Sequence, residues 1–192
     1  MTEPWFEGEF PNWFEVTGER LFETHVPKDK PLRVLQIGAF TGDATEWLLK
    51  NREIICVHDV DTWEGSEEEA HDGLDFQKVE AHYDNRFEKE RRVTKYKMTS
   101  DAFFALEAPK HGELYDFIYI DGDHTATQVA IDGFNAFRWV KQGGLIAFDD
   151  FTWSTGLGEF YEPALGIRCV LTVWENKYKI VEASSQVWVE RF

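Results

Sequence analysis

Two stretches decide the architecture: Tyr115-Asp116-Phe117-Ile118-Tyr119-Ile120-Asp121-Gly122-Asp123-His124 and Leu145-Ile146-Ala147-Phe148-Asp149-Asp150. Each is a short apolar run closed by acids, the pattern of a buried strand in a parallel sheet. Between them a helix-length stretch, Thr125 to Val140, is closed by Gly143-Gly144. A strand–helix–strand unit crosses over right-handed almost without exception, so its strands can be neighbours. Neighbouring strands lie about 4.8 Å apart. Asp121, Asp123, Asp149 and Asp150 would therefore crowd one edge of a sheet. Carboxylates that close repel one another and require raised pKa values or a cation. A hard, oxygen-seeking cation is the simpler solution, which points to an enzyme with a metal-assisted site.

Working outward, the same grammar continues. Leu32 to Ile37 reads as a first strand, Gly38 to Gly42 as a tight loop, Ala44 to Asn51 as a helix and Ile54 to Val60 as a second strand. An acidic insert follows from Glu64 to Asp72, read as solvated, then a helix around Phe76 to Glu90. Val93 to Met98 reads as a third strand, with a helix from about Asp101 to Leu106. Beyond the fifth strand, Ala164 to Glu175 reads as a helix, and Tyr178 to Val181 with Val187 to Glu190 as a hairpin. At the other end Asn12 is placed to cap a helix through about His25. The expectation is one α/β domain over residues 1–192 with a doubly wound, mostly parallel, seven-stranded sheet and a C-terminal antiparallel hairpin. Residues 1–31, rich in Trp and Phe, form a lid or an interface segment on a core of residues 32–192. Ligands in such sheets bind beyond the carboxyl ends of the strands where strand order reverses, here between the first and fourth strands.

Composition narrows the function. A net charge of −16 disfavours nucleic acid and anionic membranes as partners. The 43% apolar and 16% aromatic content supports a packed core. No apolar run approaches a membrane span, and Met1-Thr2-Glu3-Pro4 lacks a signal pattern, so the expected location is the cytoplasm. Cys56 and Cys169 lie far apart in apolar runs and read as buried core thiols.

The loop Gln36-Ile37-Gly38-Ala39-Phe40-Thr41-Gly42 has glycines where the chain must turn and approach a ligand. Phe40 breaks the dinucleotide pattern G-x-G-x-x-G and disfavours a nicotinamide oxidoreductase. Asp61 closes the second strand 19 residues after Gly42, about where nucleotide-binding folds place an acid on ribose hydroxyls. Asp59 competes for that role, but Asp61 is nearer the strand tip.

Taken together, Gly38-x-x-x-Gly42, Asp61-Thr62-Trp63-Glu64-Gly65, Ser100, Ile120-Asp121-Gly122-Asp123-His124 and Gly143-Gly144-x-x-x-Phe148-Asp149-Asp150 resemble the class I S-adenosylmethionine-dependent methyltransferases. Within these the chain is similar to the small group whose fourth strand ends in I-D-G-x-H. That group includes macrolide and aminocoumarin sugar O-methyltransferases and, more distantly, catechol O-methyltransferases. The resemblance spans roughly residues 32 to 155.

The resemblance implies that Gly38, Ala39, Phe40 and Gly42 hold the methionine part of the cofactor. It implies that Asp61 binds the ribose, that Thr62 lies against the adenine and that Ser100 approaches its edge. Asp121 borders the cofactor and, with Asp149 and Asp150, matches the metal-ligand positions, Mg²⁺ being the expected ion. The general base falls on His124 or Asp123, with His124 the preferred residue. The chain departs from the pattern at Gln36, where an acid is usual, and residues 1–31 match no motif. The expected reaction is methylation of a small-molecule hydroxyl, on a sugar or phenol-like substrate, with a homodimer as the candidate assembly. A protein that keeps the fold but only binds cofactor or a partner is the alternative.

Overall fold

Burial on both faces of the sheet explains why four short apolar runs lie parallel at its centre, with the more polar Val93–Lys97 at the edge. The computed structural model describes residues 9–65, 73–112, 114–154, 156 and 158–192. Parallel strands β1 (Leu32–Ile37), β2 (Ile54–Asp61), β3 (Val93–Lys97), β4 (Tyr115–Ile120) and β5 (Val140–Phe148) are joined by the antiparallel hairpin β6 (Tyr178–Ala183) and β7 (Val187–Arg191). The sheet order is β3-β2-β1-β4-β5-β7-β6. Order reverses between β1 and β4, so the crevice expected from the sequence opens beside Gly38 and Asp121.

Helices cover both faces. On one side Leu35, Ile37, Ile118, Ile120, Ile146 and Phe148 pack against α7 (Ala126–Trp139) and α8 (Pro163–Val173) through Val129, Phe137, Ile167 and Val170. On the other, Val34, Val57, Phe117, Tyr119 and Trp188 meet α2 (Glu19–His25) and α3 (Asp43–Asn51) through Leu21, Phe22, Ala44 and Leu48. A third cluster, Ala39, Trp63, Val79, Tyr83 and Phe87, seats α4 (Phe76–Phe87) beneath the glycine loop.

Several local expectations are corrected. The N-terminal helix is two, α1 (Trp13–Thr17) and α2, broken at Gly18. Asn12 caps the first as expected, accepting from the Glu15 amide at 3.1 Å. Glycine is a poor helix former, and a Cβ at Gly18 would meet the Phe14 ring at 2.7 Å. The helix after β3 is longer than expected, running from Ser100 to His111 as α5 (Ser100–Ala102), a π turn (Phe103–Glu107) and α6 (Ala108–His111). Gly143-Gly144 do not close α7, which ends at Trp139 where Val140 turns extended. They lie inside β5, at the irregularity that slips its pairing with β4 between Tyr115 and Phe117.

Neither cysteine is a buried thiol. Cys169 is exposed because α8 buries Gly166, Ile167 and Val170, leaving position 169 on the outer face. Cys56 is half-buried with its sulfur 3.6 Å from the Arg33 guanidinium. Trp5 and Phe6 of the aromatic segment, and Ser66 to Asp72 of the acidic insert, lie outside the described residues. No helix among the described residues is long and apolar enough to cross a membrane.

Candidate active site at the carboxyl ends of β1, β2, β4 and β5

Backbone hydrogen bonds hold the strand tips side by side: Gly38 N donates to Val60 O at 2.9 Å, Asp121 N to Ile37 O at 2.8 Å and Asp149 N to Ile120 O at 2.9 Å. The acidic endings of β4 and β5 are thereby brought together. Ligand atoms of Asp121, His124 and Asp150 all lie within 4.8 Å of one another. His124 Nε2 is 3.0 Å from Asp150 Oδ2 and 3.7 Å from Asp121 Oδ1. The edge of Trp153 meets the His124 ring at 5.1 Å between centroids. Asp150 adopts φ +55°, a left-handed conformation that Asp tolerates better than most residues and that re-aims the chain where the strand ends.

Asp149 behaves differently from its neighbour. Its carboxylate is buried and accepts from the Tyr119 hydroxyl and, at 2.8 Å, from the Asp150 amide. Burial, with the charges of Asp121 and Asp150, pushes Asp149 well above the ordinary carboxylate range. Burial also raises Asp121 to about 6, with Asp150 adding and His124 opposing. Tyr119, enclosed and facing these acids, is raised far above a free phenol. Acids held this close, with no Lys or Arg paired to them among the described residues, are poised to take a cation. The carboxylates of Asp121 and Asp150 are oxygen donors that fit a divalent metal, with the His124 imidazole beside them.

The glycine loop is shaped by the protein's own groups. Gly38 has φ +83°, and a Cβ there would stand 1.8 Å from the Asp121 carbonyl oxygen, so this glycine permits the contact between the β1 and β4 loops. Asp61 Oδ2 accepts from the amides of Ala39 at 2.8 Å and Phe40 at 2.9 Å, while Oδ1 accepts from Trp63 N at 2.7 Å. Asp61 thus pins the loop to the tip of β2, and one lone pair remains on Oδ1 for a further donor. Phe40 takes φ +48°, unfavourable for a bulky residue, and is held there by Asp61, by the Trp63 indole donating to its carbonyl at 2.9 Å and by the Trp13 ring at 4.8 Å.

Other expected residues fall near this rim. Thr62 is half-buried and its hydroxyl accepts from Glu64 N at 3.3 Å. Ser100 is buried at the start of α5, taking a 3.1 Å bond from Gln128, which also donates to Asp132. Asp123 is exposed and turned from the cluster, its Oδ1 accepting from Thr125 N at 2.7 Å at the entry to α7. Trp63 is buried under the loop with the Lys95 ammonium 4.5 Å from its ring centre. Sequence reasoning missed Tyr119, although strand alternation places it on the same side of β4 as Asp121, two residues on. It also missed Thr45 and Tyr83, which bond to the buried Asp59 beneath the loop and give no periodic signal.

The chain resembles the solved N-methyltransferase NodS from Bradyrhizobium japonicum WM9 in complex with S-adenosyl-L-homocysteine, at 14% identity over 96% of this chain and 93% of that one, with a TM-score of 0.56. It resembles MycE, a methyltransferase of the mycinamycin biosynthetic pathway solved with Mg, S-adenosylhomocysteine and mycinamycin VI, at 18% identity, with a TM-score of 0.60. That match covers 96% of this chain but only 50% of MycE, so the chain spans about half of that protein's length. An O-methyltransferase from Bacillus cereus aligns at 20% identity over 83% of this chain and 74% of that one, with a TM-score of 0.56. Likeness at these identities establishes the fold. No curated protein sequence matches the chain. A family described as a methyltransferase domain matches residues 35–151, more than half of the chain and all of the strand tips that build the site. The chain belongs to that methyltransferase-domain family, and it is an S-adenosylmethionine-dependent methyltransferase.

Proposed function

We propose that the chain methylates a hydroxyl of a small molecule, a sugar or phenol-like acceptor, with the help of a divalent cation. The carrying observation is the convergence of Asp121, His124 and Asp150 beside the Gly38 loop at the β1/β4 switch. S-adenosylmethionine supplies an electrophilic sulfonium methyl. In this reading Gly38, Ala39, Phe40 and Gly42 cradle its methionine part, Asp61 accepts from the ribose hydroxyls, and Thr62 and Ser100 border the adenine. Asp121 and Asp150 hold the cation, with Asp149 behind them. Mg²⁺ there would lower the pKa of an acceptor hydroxyl and fix its direction. MycE was solved with Mg, which supports this ion without fixing it for the present chain.

His124 is the proton acceptor in this reading. Asp150, 3.0 Å from its Nε2, orients the ring and favours the imidazolium that forms. Trp153 packs against the ring at a steep angle and limits its rotation. Asp123 is engaged at the α7 entry and exposed, which favours His124 over it. The N-terminal aromatic segment fits the lid reading, since Trp13 sits on Phe40 of the glycine loop. The decisive test is methyl transfer to an acceptor panel of sugars and catechols, with and without chelator, alongside calorimetric titration of S-adenosylhomocysteine. Cofactor binding with chelator-sensitive transfer to a hydroxyl supports the proposal. Transfer only to amines, or transfer indifferent to chelator and added Mg²⁺, refutes it.

A further inference from the structure

The group beneath the glycine loop carries a hydrogen-bond count that closes in one way. Thr45 is buried and its hydroxyl has a single proton, yet it lies 2.9 Å from Gln36 Oε1 and 2.9 Å from each oxygen of Asp59. Gln36 Nε2 donates to the Gly38 carbonyl at 2.8 Å. Turning that amide over would set Oε1 against the carbonyl, acceptor against acceptor, so Oε1 faces Thr45 and takes its proton. Tyr83 gives its own proton to Asp59 Oδ2 at 2.7 Å. The contact between Asp59 and Thr45 then has a donor only if Asp59 carries a proton.

We infer that Asp59 is a positioning residue that works as an acid: Asp59 donates to Thr45, Thr45 to Gln36, and Gln36 to the carbonyl of Gly38, so that one chain of hydrogen bonds from the sheet interior sets the shape of the cofactor loop. The inference rests on the reading that the Gly38 loop holds S-adenosylmethionine. It also explains the departure at Gln36. An amide can receive at one end and give at the other, which an ionised carboxylate cannot.

The surroundings agree. Asp59 is fully buried, and burial raises it to about 7, with the bond from Tyr83 opposing and the charge of Asp61 adding. Lys95 of β3 is its partner in register, but that ammonium goes to Glu80 at 2.7 Å and Asp84 at 2.6 Å. Arg86 of α4 pairs with Asp43 of α3 at 2.6 Å. No cation among the described residues is paired with Asp59. When Asp59 ionises, it competes for the Thr45 proton, Gln36 Oε1 loses its donor, and the hold on Gly38 loosens.

The test is calorimetric binding of S-adenosylhomocysteine to the full chain from about pH 6 to about pH 9. Affinity of the parent should fall above pH 7, approaching about tenfold per pH unit if only the protonated form holds the loop. Asp59→Asn keeps one donor and one acceptor, so its affinity should not track pH in this way. Thr45→Val interrupts the chain and should raise KM for the cofactor with little change in kcat. Infrared difference spectra of parent against Asp59→Asn supply a readout that needs no ligand, the carbonyl stretch of a protonated carboxyl near neutral pH. Absence of that band overturns the inference. So does parent affinity that is flat with pH, or an Asp59→Asn variant that keeps the parent profile. If S-adenosylhomocysteine binds at no pH, the cofactor reading fails, and the infrared band still decides whether Asp59 holds the proton.

Discussion

At the scale of single residues, chemistry is set by what each acid touches. Asp121, Asp149 and Asp150 look alike in sequence, but Asp149 is turned into the sheet against Tyr119 while Asp121 and Asp150 face His124. His124→Ala should lower the methyl-transfer rate by about 10²–10⁴, the range of acid–base groups, with S-adenosylhomocysteine affinity nearly unchanged in calorimetry. A variant that turns over at the parent rate would remove His124 from the proton path. Asp150→Ala should abolish binding of Mn²⁺, a paramagnetic substitute for Mg²⁺, read by water-proton relaxation. Metal affinity equal to the parent's would place the ion elsewhere. Tyr119→Phe leaves the buried Asp149 short of a donor and should cost about 1–3 kcal/mol in denaturant unfolding.

At the scale of elements, the site depends on how closely loops approach. Gly38→Ala puts a methyl into the Asp121 backbone and imposes φ +83° on a residue with a Cβ. The β1 and β4 loops would have to separate, so cofactor binding and metal binding should fall together. Loss of one with the other intact would show that the two loops are not coupled through this glycine. Phe22 of α2 is the matching case in the core, edge-on to Phe117, Tyr119 and Trp188 at 5.3, 4.9 and 5.5 Å. Phe22→Ala should cost about 3–5 kcal/mol, the range for emptying an aromatic core position.

At the scale of the molecule, buried acids give an unusual pH profile. Asp59 and Asp132 are buried and both are raised to about 7. A carboxyl whose folded pKa lies above its unfolded value binds its proton more tightly when folded. Its stabilising effect is complete below the unfolded pKa and is lost as pH rises from about 4 to about 7. Each such group contributes at most about 1.4 kcal/mol per pH unit across that window. The net charge of −16 acts in the same direction, since lowering the pH relieves self-repulsion. Tm measured in chelator should therefore rise as pH is lowered from 8 toward 5.5. A Tm that falls steadily over that range would mean these acids are ionised in the folded protein.

The alternation of strands and helices was legible in the chain alone, because buried parallel strands must be apolar on both faces and their turns need glycine and acids. The sequence also placed Asp61, Asp121, Asp149, Asp150 and His124 at strand ends, since a motif at the close of an apolar run can only lie at the edge of a sheet. Local propensity misread Gly143-Gly144, where pairing with β4 overrides the tendency of glycine to end a helix. The apolar run around Cys169 also misled, because such a run in a helix still has an outer face. Which acids meet depends on the packed fold. The turn of Asp150 toward His124, the hold of Tyr119 on Asp149 and the proton count among Gln36, Thr45, Asp59 and Tyr83 join residues up to 47 positions apart. Distances between side chains on different elements are fixed by packing and strand register, and no local pattern in the chain encodes them.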